Sequence, residues 1–257
     1  MVFSKDSNVT LVVTSCGRFD LLKKTLDSFE QFNTYPIRSV IITEDSGDER
    51  VKGCIPANWR DYTTFFVNNP RLGQLASIDL AYSIIETPYI FHCEDDWLFY
   101  RPEFIEDSML LLEADAMALQ VWLRSYAHDL AIHSPYVFLE SRREISGVKF
   151  YTVGSRKVDW QGFSFNPGLR RFADYMMVSP YSSQKNEKDL SKYYSDKGRY
   201  ALILESDAVL HTGFGGHVKV PEERLKKARR KKIDRVRNVL FFGAGVFFSS
   251  LFFLFIS

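Results

Sequence analysis

Residues 9–29 read VTLVVTSCGRFDLLKKTLDSF, and the apolar period changes half-way along them. Residues 9–14 form a short run rich in β-branched side chains, suited to a strand. After Ser15-Cys16-Gly17-Arg18, the residues Leu22, Leu26 and Phe29 recur at helical spacing. The stretch predicts strand, loop, helix. Asn33 to Pro36 breaks that helix, and residues 37–43 (IRSVIIT) predict a second strand that ends in the acidic turn Glu44-Asp45-Ser46-Gly47-Asp48. Residues 63–67 (TTFFV) predict a third. Beyond Asn68-Asn69-Pro70, the residues Leu72, Ala76, Leu80 and Ile84 fall four apart, predicting a helix with that face inward, and Pro88 marks its end before the strand 89–93 (YIFHC). This order, β-α-β-β-α-β, predicts an α/β fold with a mostly parallel sheet flanked by helices. Such sheets bind ligands beyond the carboxyl ends of their strands, which directs attention to residues 15–18, 44–48 and 94–97.

The second half is less regular. It predicts a helix over 102–114 with Phe104, Ile105, Met109 and Leu112 inward, a strand over 118–124, aromatic-rich connections through Asn166, a helix over 188–195 and a strand over 200–204. No repeat or low-complexity tract interrupts it, so one domain is expected over residues 1–218.

The chain has 257 residues with 33 Lys and Arg against 32 Asp and Glu, which excludes a chain-wide polycation that coats nucleic acid. The charge is uneven. Residues 219–237 carry ten basic side chains against three acidic ones, and residues 238–257, NVLFFGAGVFFSSLFFLFIS, carry none. Twenty residues at about 1.5 Å each span about 30 Å, the hydrocarbon thickness of a bilayer. The tail therefore predicts a single transmembrane helix behind a basic juxtamembrane segment that sits on the cytoplasmic side. The first ten residues, MVFSKDSNVT, lack the pattern of a secretory signal, so the body is expected in the cytoplasm, held to the membrane by a C-terminal anchor. The three cysteines, Cys16, Cys54 and Cys93, show neither CxxC nor Cys/His zinc spacing, in keeping with a reducing compartment.

Glu94-Asp95-Asp96 directly follows an apolar strand, where mutual repulsion disfavours three ionised carboxylates. A divalent cation resolves the repulsion, because Mg²⁺ or Mn²⁺ takes oxygen ligands from one or two carboxylates, phosphates and water. An acidic helix cap or a solvated loop would carry the same residues with no ion.

The three stretches VTLVVTSCGRFDLLKKTLDSF, IITEDSGD and NNPRLGQLASIDLAYSIIETPYIFHCEDDW together resemble the nucleotide-binding half of GT-A-fold glycosyltransferases, especially glycosyltransferase family 2 and its relatives. The likeness covers residues 9–115. It implies a Rossmann-like nucleotide-diphospho-sugar transferase fold in which the acidic triplet is the DXD motif. Carried over, Asp96 becomes the metal ligand, Glu94 faces the nucleoside or the metal's waters, and Asp95 assists. Asp45 or Glu44 contacts base or ribose, since EDSGD here replaces the family's DDGS-like turn. Thr14, Arg18 and Gln74 complete the donor side. Further on, NEKDLSKYYSDKGRYALILESDAVLHTGFGGH resembles the family's stretch with an acidic residue opening a helix and a histidine closing the fold. It implies a general base at Glu187 or Asp189, with Glu187 preferred, and places His211, rather than His217, near metal and diphosphate. The same acids also suit a helix N-terminus. Asp159-Trp160-Gln161 and Asn166-Pro167-Gly168 are assigned to the acceptor side, with Trp160 equally suited to the core. The resemblance implies a metal-dependent (Mn²⁺ or Mg²⁺) inverting transfer of sugar from a nucleotide-diphosphate sugar donor to a glycan or lipid-linked acceptor at the membrane. A membrane-tethered module that binds without turnover is the alternative, suggested by Lys188 between the two acids.

Overall fold

Strand β1 (Val9–Ser15) is buried along its length except at Thr14, as its β-branched run requires. The computed structural model describes residues 1–158 and 162–213. After β1 come helix α1 (Phe19–Phe32), β2 (Ser39–Glu44), β3 (Thr63–Val67), α2 (Gln74–Tyr82) and β4 (Tyr89–Glu94), in the order read from the sequence. Next are β5 (Trp97–Phe99), α3 (Phe104–Ala114), β6 (Ala118–Trp122) and a π turn, Tyr126–Leu130, that runs into the single turn α4 (Ala131–His133). The hairpin β7 (Val137–Ile145) and β8 (Val148–Ser155), then β9 (Gly168–Arg171), α5 (Phe172–Met176), α6 (Glu187–Asp196), β10 (Tyr200–Leu204) and β11 (Val209–His211) complete the described chain.

Nine strands form one sheet in the order β3-β2-β1-β4-β9-β6-β10-β8-β7, while β11 and β5 make a separate ribbon. The pairs β3-β2, β2-β1, β1-β4 and β6-β10 are parallel. Strand β9 runs against both β4 and β6, and β8 against both β10 and β7, so only β8 and β9 oppose the common direction. The α/β architecture with a mostly parallel sheet is therefore as expected. Register places Thr14 beside Glu94 and Ser15 beside Glu44, so the carboxyl ends of β1, β2 and β4 finish together.

Helices α1 and α3 cover one face of the sheet, where Leu22, Leu26, Phe29, Phe104, Ile105 and Leu112 pack with Leu11, Val13 and Phe91. Phe29 sits edge-on to Phe99 at 5.1 Å and to Trp59 at 6.2 Å. Burying a side chain of this size contributes about 1.5–3 kcal/mol. The other face packs Val12, Ile41 and Ile90 under Ile78 and Tyr82 of α2 and Leu190 and Tyr194 of α6.

Two expectations need correction. The inward face of α2 is Ile78, Ala81, Tyr82 and, just past its end, Ile85, whereas Leu72 and Ile84 are exposed and lie outside the helix. Both stripes are apolar at helical spacing, so the period could not choose between them. The span through Asn166 is not a series of connections, because it holds the β7-β8 hairpin. Charged Arg142, Arg143 and Glu144 on the outermost strand hide its strand character and also guard the sheet edge against further pairing. The expected features at Asp159, Trp160, Gln161 and His217, in the basic segment 219–237 and in the transmembrane segment 238–257 lie outside the described residues. Among the described residues no helix is long and apolar enough to cross a membrane.

Candidate active site

Strand β4 ends at Glu94, and the chain turns through Asp95 and Asp96 before β5, leaving three carboxylates beside the β1 loop. Asp95 and Asp96 are both buried. Arg18, the residue before α1, joins them. Its Nε donates to Asp95 Oδ2 at 3.2 Å, its Nη2 donates to Asp95 Oδ1, and its Nη1 donates to Asp96 Oδ2 at 2.7 Å. The fork suits a guanidinium and no other side chain. Burial pushes the Asp95 carboxyl up to about 6 even with Arg18 opposing the shift. At Asp96 burial acts the same way, but the His211 hydrogen bond and the Arg18 charge outweigh it and hold the carboxyl below its usual value.

His211 Nε2 lies 3.2 Å from Asp96 Oδ2. The β11-β5 ribbon puts it there, since His211 pairs with Trp97, and Trp97 supports its ring at 4.8 Å between centroids. The Arg124 guanidinium, ion-paired to Asp129, lies 5.4 Å from the Trp97 ring centre. Thr212 then closes the turn, donating its backbone N–H (2.8 Å) and its hydroxyl (2.9 Å) to the Asp96 carbonyl. At Gly213 a Cβ would collide with the Asp96 carboxylate, so the backbone passes where only glycine fits.

Glu94 is half-buried and accepts a hydrogen bond from Gln74 at the start of α2, 3.1 Å away. Burial, then the charges of Asp96, Glu187 and Asp95, push its carboxyl up to about 8. Glu187 thus belongs to the same acidic cluster although 93 residues of sequence separate it from Glu94. It is the first residue of α6, and its Oε2 accepts the Phe165 N–H at 3.1 Å. Asn186 caps the helix through the Lys188 and Asp189 N–H groups. Asp189 sits two residues further on, in the same first turn of α6.

The acidic turn after β2 works on the protein itself. Glu44 is fully buried, and its Oε1 accepts the N–H groups of Gly17 (2.9 Å) and Ser46 (2.8 Å), tying the first two loops together. Asp45 accepts from Leu72 N–H, Gly73 N–H, Asn68 Nδ2, Ser77 Oγ and Arg71 Nε, all within 2.8–3.1 Å. Burial would raise its pKa, and these donors more than offset the rise and hold it low. Asp45 therefore shapes the loop ahead of α2 and presents Arg71 beside it. Thr14, next to Glu94 in register, faces the same end of the sheet.

Asp96 and His211 suit a divalent cation. Two adjacent octahedral ligands at about 2.1 Å from an ion stand about 3 Å apart, and the two atoms here are 3.2 Å apart. Among the described residues no group of three or more His, Cys, Asp and Glu could hold a metal. An ion here would take its remaining ligands from phosphate and water, the usual habit of Mg²⁺. The structure thus brings Arg18, Glu94, Asp95, Asp96, His211 and Glu187 together, with Gln74 at the rim. The sequence reading missed the roles of Arg71, Trp97 and Gly213. Arg71 and Gly213 had a signal, an arginine and a glycine inside stretches already quoted for the resemblance, whereas the support Trp97 gives His211 depends on the ribbon pairing.

No protein-family model matches the chain, and no curated protein does. Solved structures do. One is the mannosyltransferase PcManGT from Pyrobaculum calidifontis in complex with GDP-Man and Mn²⁺, with TM-score 0.54, 13% identity, 78% of this chain covered and 56% of that one. Another is S. aureus TarS 1–349, with TM-score 0.54, 12% identity and coverage of 80% and 61%. A longer S. aureus TarS structure matches with TM-score 0.58, 10% identity and coverage of 80% and 37%. The fold is thus one shared with a solved mannosyltransferase, in keeping with the glycosyltransferase fold that the sequence resemblance implied. The chain spans 37–61% of the length of these structures.

Proposed function

We propose that the chain is an inverting, metal-assisted glycosyltransferase that moves a sugar from a nucleotide-diphosphate donor to a hydroxyl of a glycan or lipid-linked acceptor at a membrane. The observation that carries the reading is the meeting of Asp96 and His211 at 3.2 Å on the sheet's carboxyl edge, with Glu187 in the same acidic cluster. The PcManGT complex with GDP-Man and Mn²⁺ supports the donor class and the ion.

Asp96 and His211 would hold Mn²⁺ or Mg²⁺, which when bound neutralises charge on the departing diphosphate. Arg18 adds a second cation at the same edge, and Gln74 and Glu94 face the donor. Asp45 holds Arg71 and the loop ahead of α2 in place for the nucleoside. The acceptor oxygen attacks the anomeric carbon, Glu187 takes its proton, and the nucleoside diphosphate leaves with the electron pair of the broken C–O bond. The uncharged segment 238–257, behind its basic run, supports a membrane acceptor and a single C-terminal anchor with the catalytic domain on the cytoplasmic side.

Donor binding and turnover test this together. Asp96→Asn should lose Mn²⁺-dependent donor binding and transfer while still folding, as circular dichroism would show. Glu187→Gln should keep donor binding and lose about two to four orders of magnitude in turnover, the range for general base catalysis. Donor affinity that stays Mn²⁺-dependent in Asp96→Asn overturns the metal assignment. Turnover lost in Asp189→Asn but not in Glu187→Gln moves the base by two residues. Tight donor binding without turnover in the unmodified protein, across a donor and acceptor panel, leaves a binding module.

A further inference from the structure

Arg18 Nη1 and His211 Nε2 converge on one atom, Asp96 Oδ2, at 2.7 and 3.2 Å. That oxygen is also the one paired with His211 for a divalent ion, so the guanidinium and the ion compete for it, and two cations this close repel. The rest of the Arg18 head is held separately, by Nε and Nη2 on the two oxygens of Asp95. One N–H group can therefore leave Asp96 while the other two keep the side chain in the site. Arg18 lies just before the first helical residue, and its side chain is 22% exposed. The anion that draws Nη1 off Asp96 is a diphosphate arriving at the same edge.

We propose that Arg18 is a displaceable counter-cation. It blocks the Asp96–His211 pair against a lone divalent ion and passes its Nη1 to the donor's diphosphate, so that ion and nucleotide bind as a coupled pair. The inference rests on the reading of Asp96 and His211 as the ion-holding residues. It goes beyond that reading by giving Arg18 a role in the coupling between two ligands.

The test is Mn²⁺ binding to the full-length chain in detergent, read from the electron paramagnetic resonance of free Mn²⁺, with and without GDP or UDP. Wild type, Arg18→Met and Arg18→Lys are compared after their melting curves show a folded protein. Arg18→Met should bind Mn²⁺ alone at least about tenfold more tightly than wild type. The factor by which GDP or UDP raises Mn²⁺ affinity should shrink by about tenfold, and by linkage the effect of Mn²⁺ on nucleotide affinity should shrink equally. Arg18→Lys should move both quantities the same way by less, because one ammonium cannot span two carboxylates as the fork does. If Arg18→Met does not fold, Arg18→Lys decides alone. Unchanged coupling in a folded variant overturns the counter-cation role and leaves the ion site standing. Absence of Mn²⁺ binding in every protein, with either nucleotide, overturns the ion site and the inference with it.

Discussion

His92 is fully buried in β4 and shares a 3.0 Å hydrogen bond with the Tyr82 hydroxyl. Burial, with the nearby Arg170 charge, holds its pKa well below the usual imidazole value. The unfolded chain takes up a proton here below about pH 6.5 and the native protein does not, so the unfolded state binds more protons and stability falls as pH drops through that value. His92→Gln keeps a hydrogen-bonding partner for Tyr82 and removes the titration. Its melting temperature should fall less between pH 7 and pH 5 than that of the wild type, and parallel curves from circular dichroism would contradict this. Residue by residue, the polar groups legible in advance were those at strand ends. Glu94, Asp95, Asp96 and His211 each stood out against an apolar run. The saturation of Asp45 by five donors was not legible, because Asn68, Ser77, Arg71 and the N–H groups of Leu72 and Gly73 reach it only once the loop has closed.

Helix α2 shows what an element adds to its residues. Its Asp79 accepts the N–H groups of Tyr181 (2.7 Å) and Ser182 (2.8 Å) and the Tyr175 hydroxyl (3.0 Å), clamping the chain that leads into α6. Through that clamp the helix carrying Gln74 is tied to the stretch that delivers Glu187. Asp79→Ala leaves these donors without their acceptor and should cost about 1–3 kcal/mol of stability. Asp79→Asn, which keeps one acceptor oxygen, should cost less. Urea denaturation of the two variants checks both size and order, and equal losses would point to charge rather than hydrogen bonding. Most helices and parallel strands were legible from period alone. Those that were not had a physical reason: the inward stripe of α2 competes with a second apolar stripe, the edge hairpin is charged, and β9 (GLRR) carries two arginines in a buried strand.

For the whole molecule, the described residues bury two large apolar clusters against a single sheet. A chain ending at Val218 should therefore fold and stay in solution without detergent, and keep Mn²⁺-dependent nucleotide binding. Transfer to an acceptor embedded in lipid should drop, because an anchor supplies local concentration rather than chemistry. Sedimentation of the truncated chain and a comparison of soluble with lipid-embedded acceptors test this, and a truncated chain that aggregates would place the apolar tail in the core instead.

The sequence by itself determined the α/β class, the order of the elements through β4, the acidic edge at residues 94–96 and the charge pattern of the tail. Each depends on neighbours in the chain, through side-chain period, turn residues or local charge, and so can be read along it. Only the tertiary structure decided that the charge of Glu187 acts on Glu94, that Arg18 grips both aspartates, and that Trp97 and Gly213 set the place of His211 and Asp96. Those facts follow from strand register, from the antiparallel insertion of β9 and from the β11-β5 ribbon. Such pairings between distant segments are selected by the burial of whole faces, which no local pattern encodes.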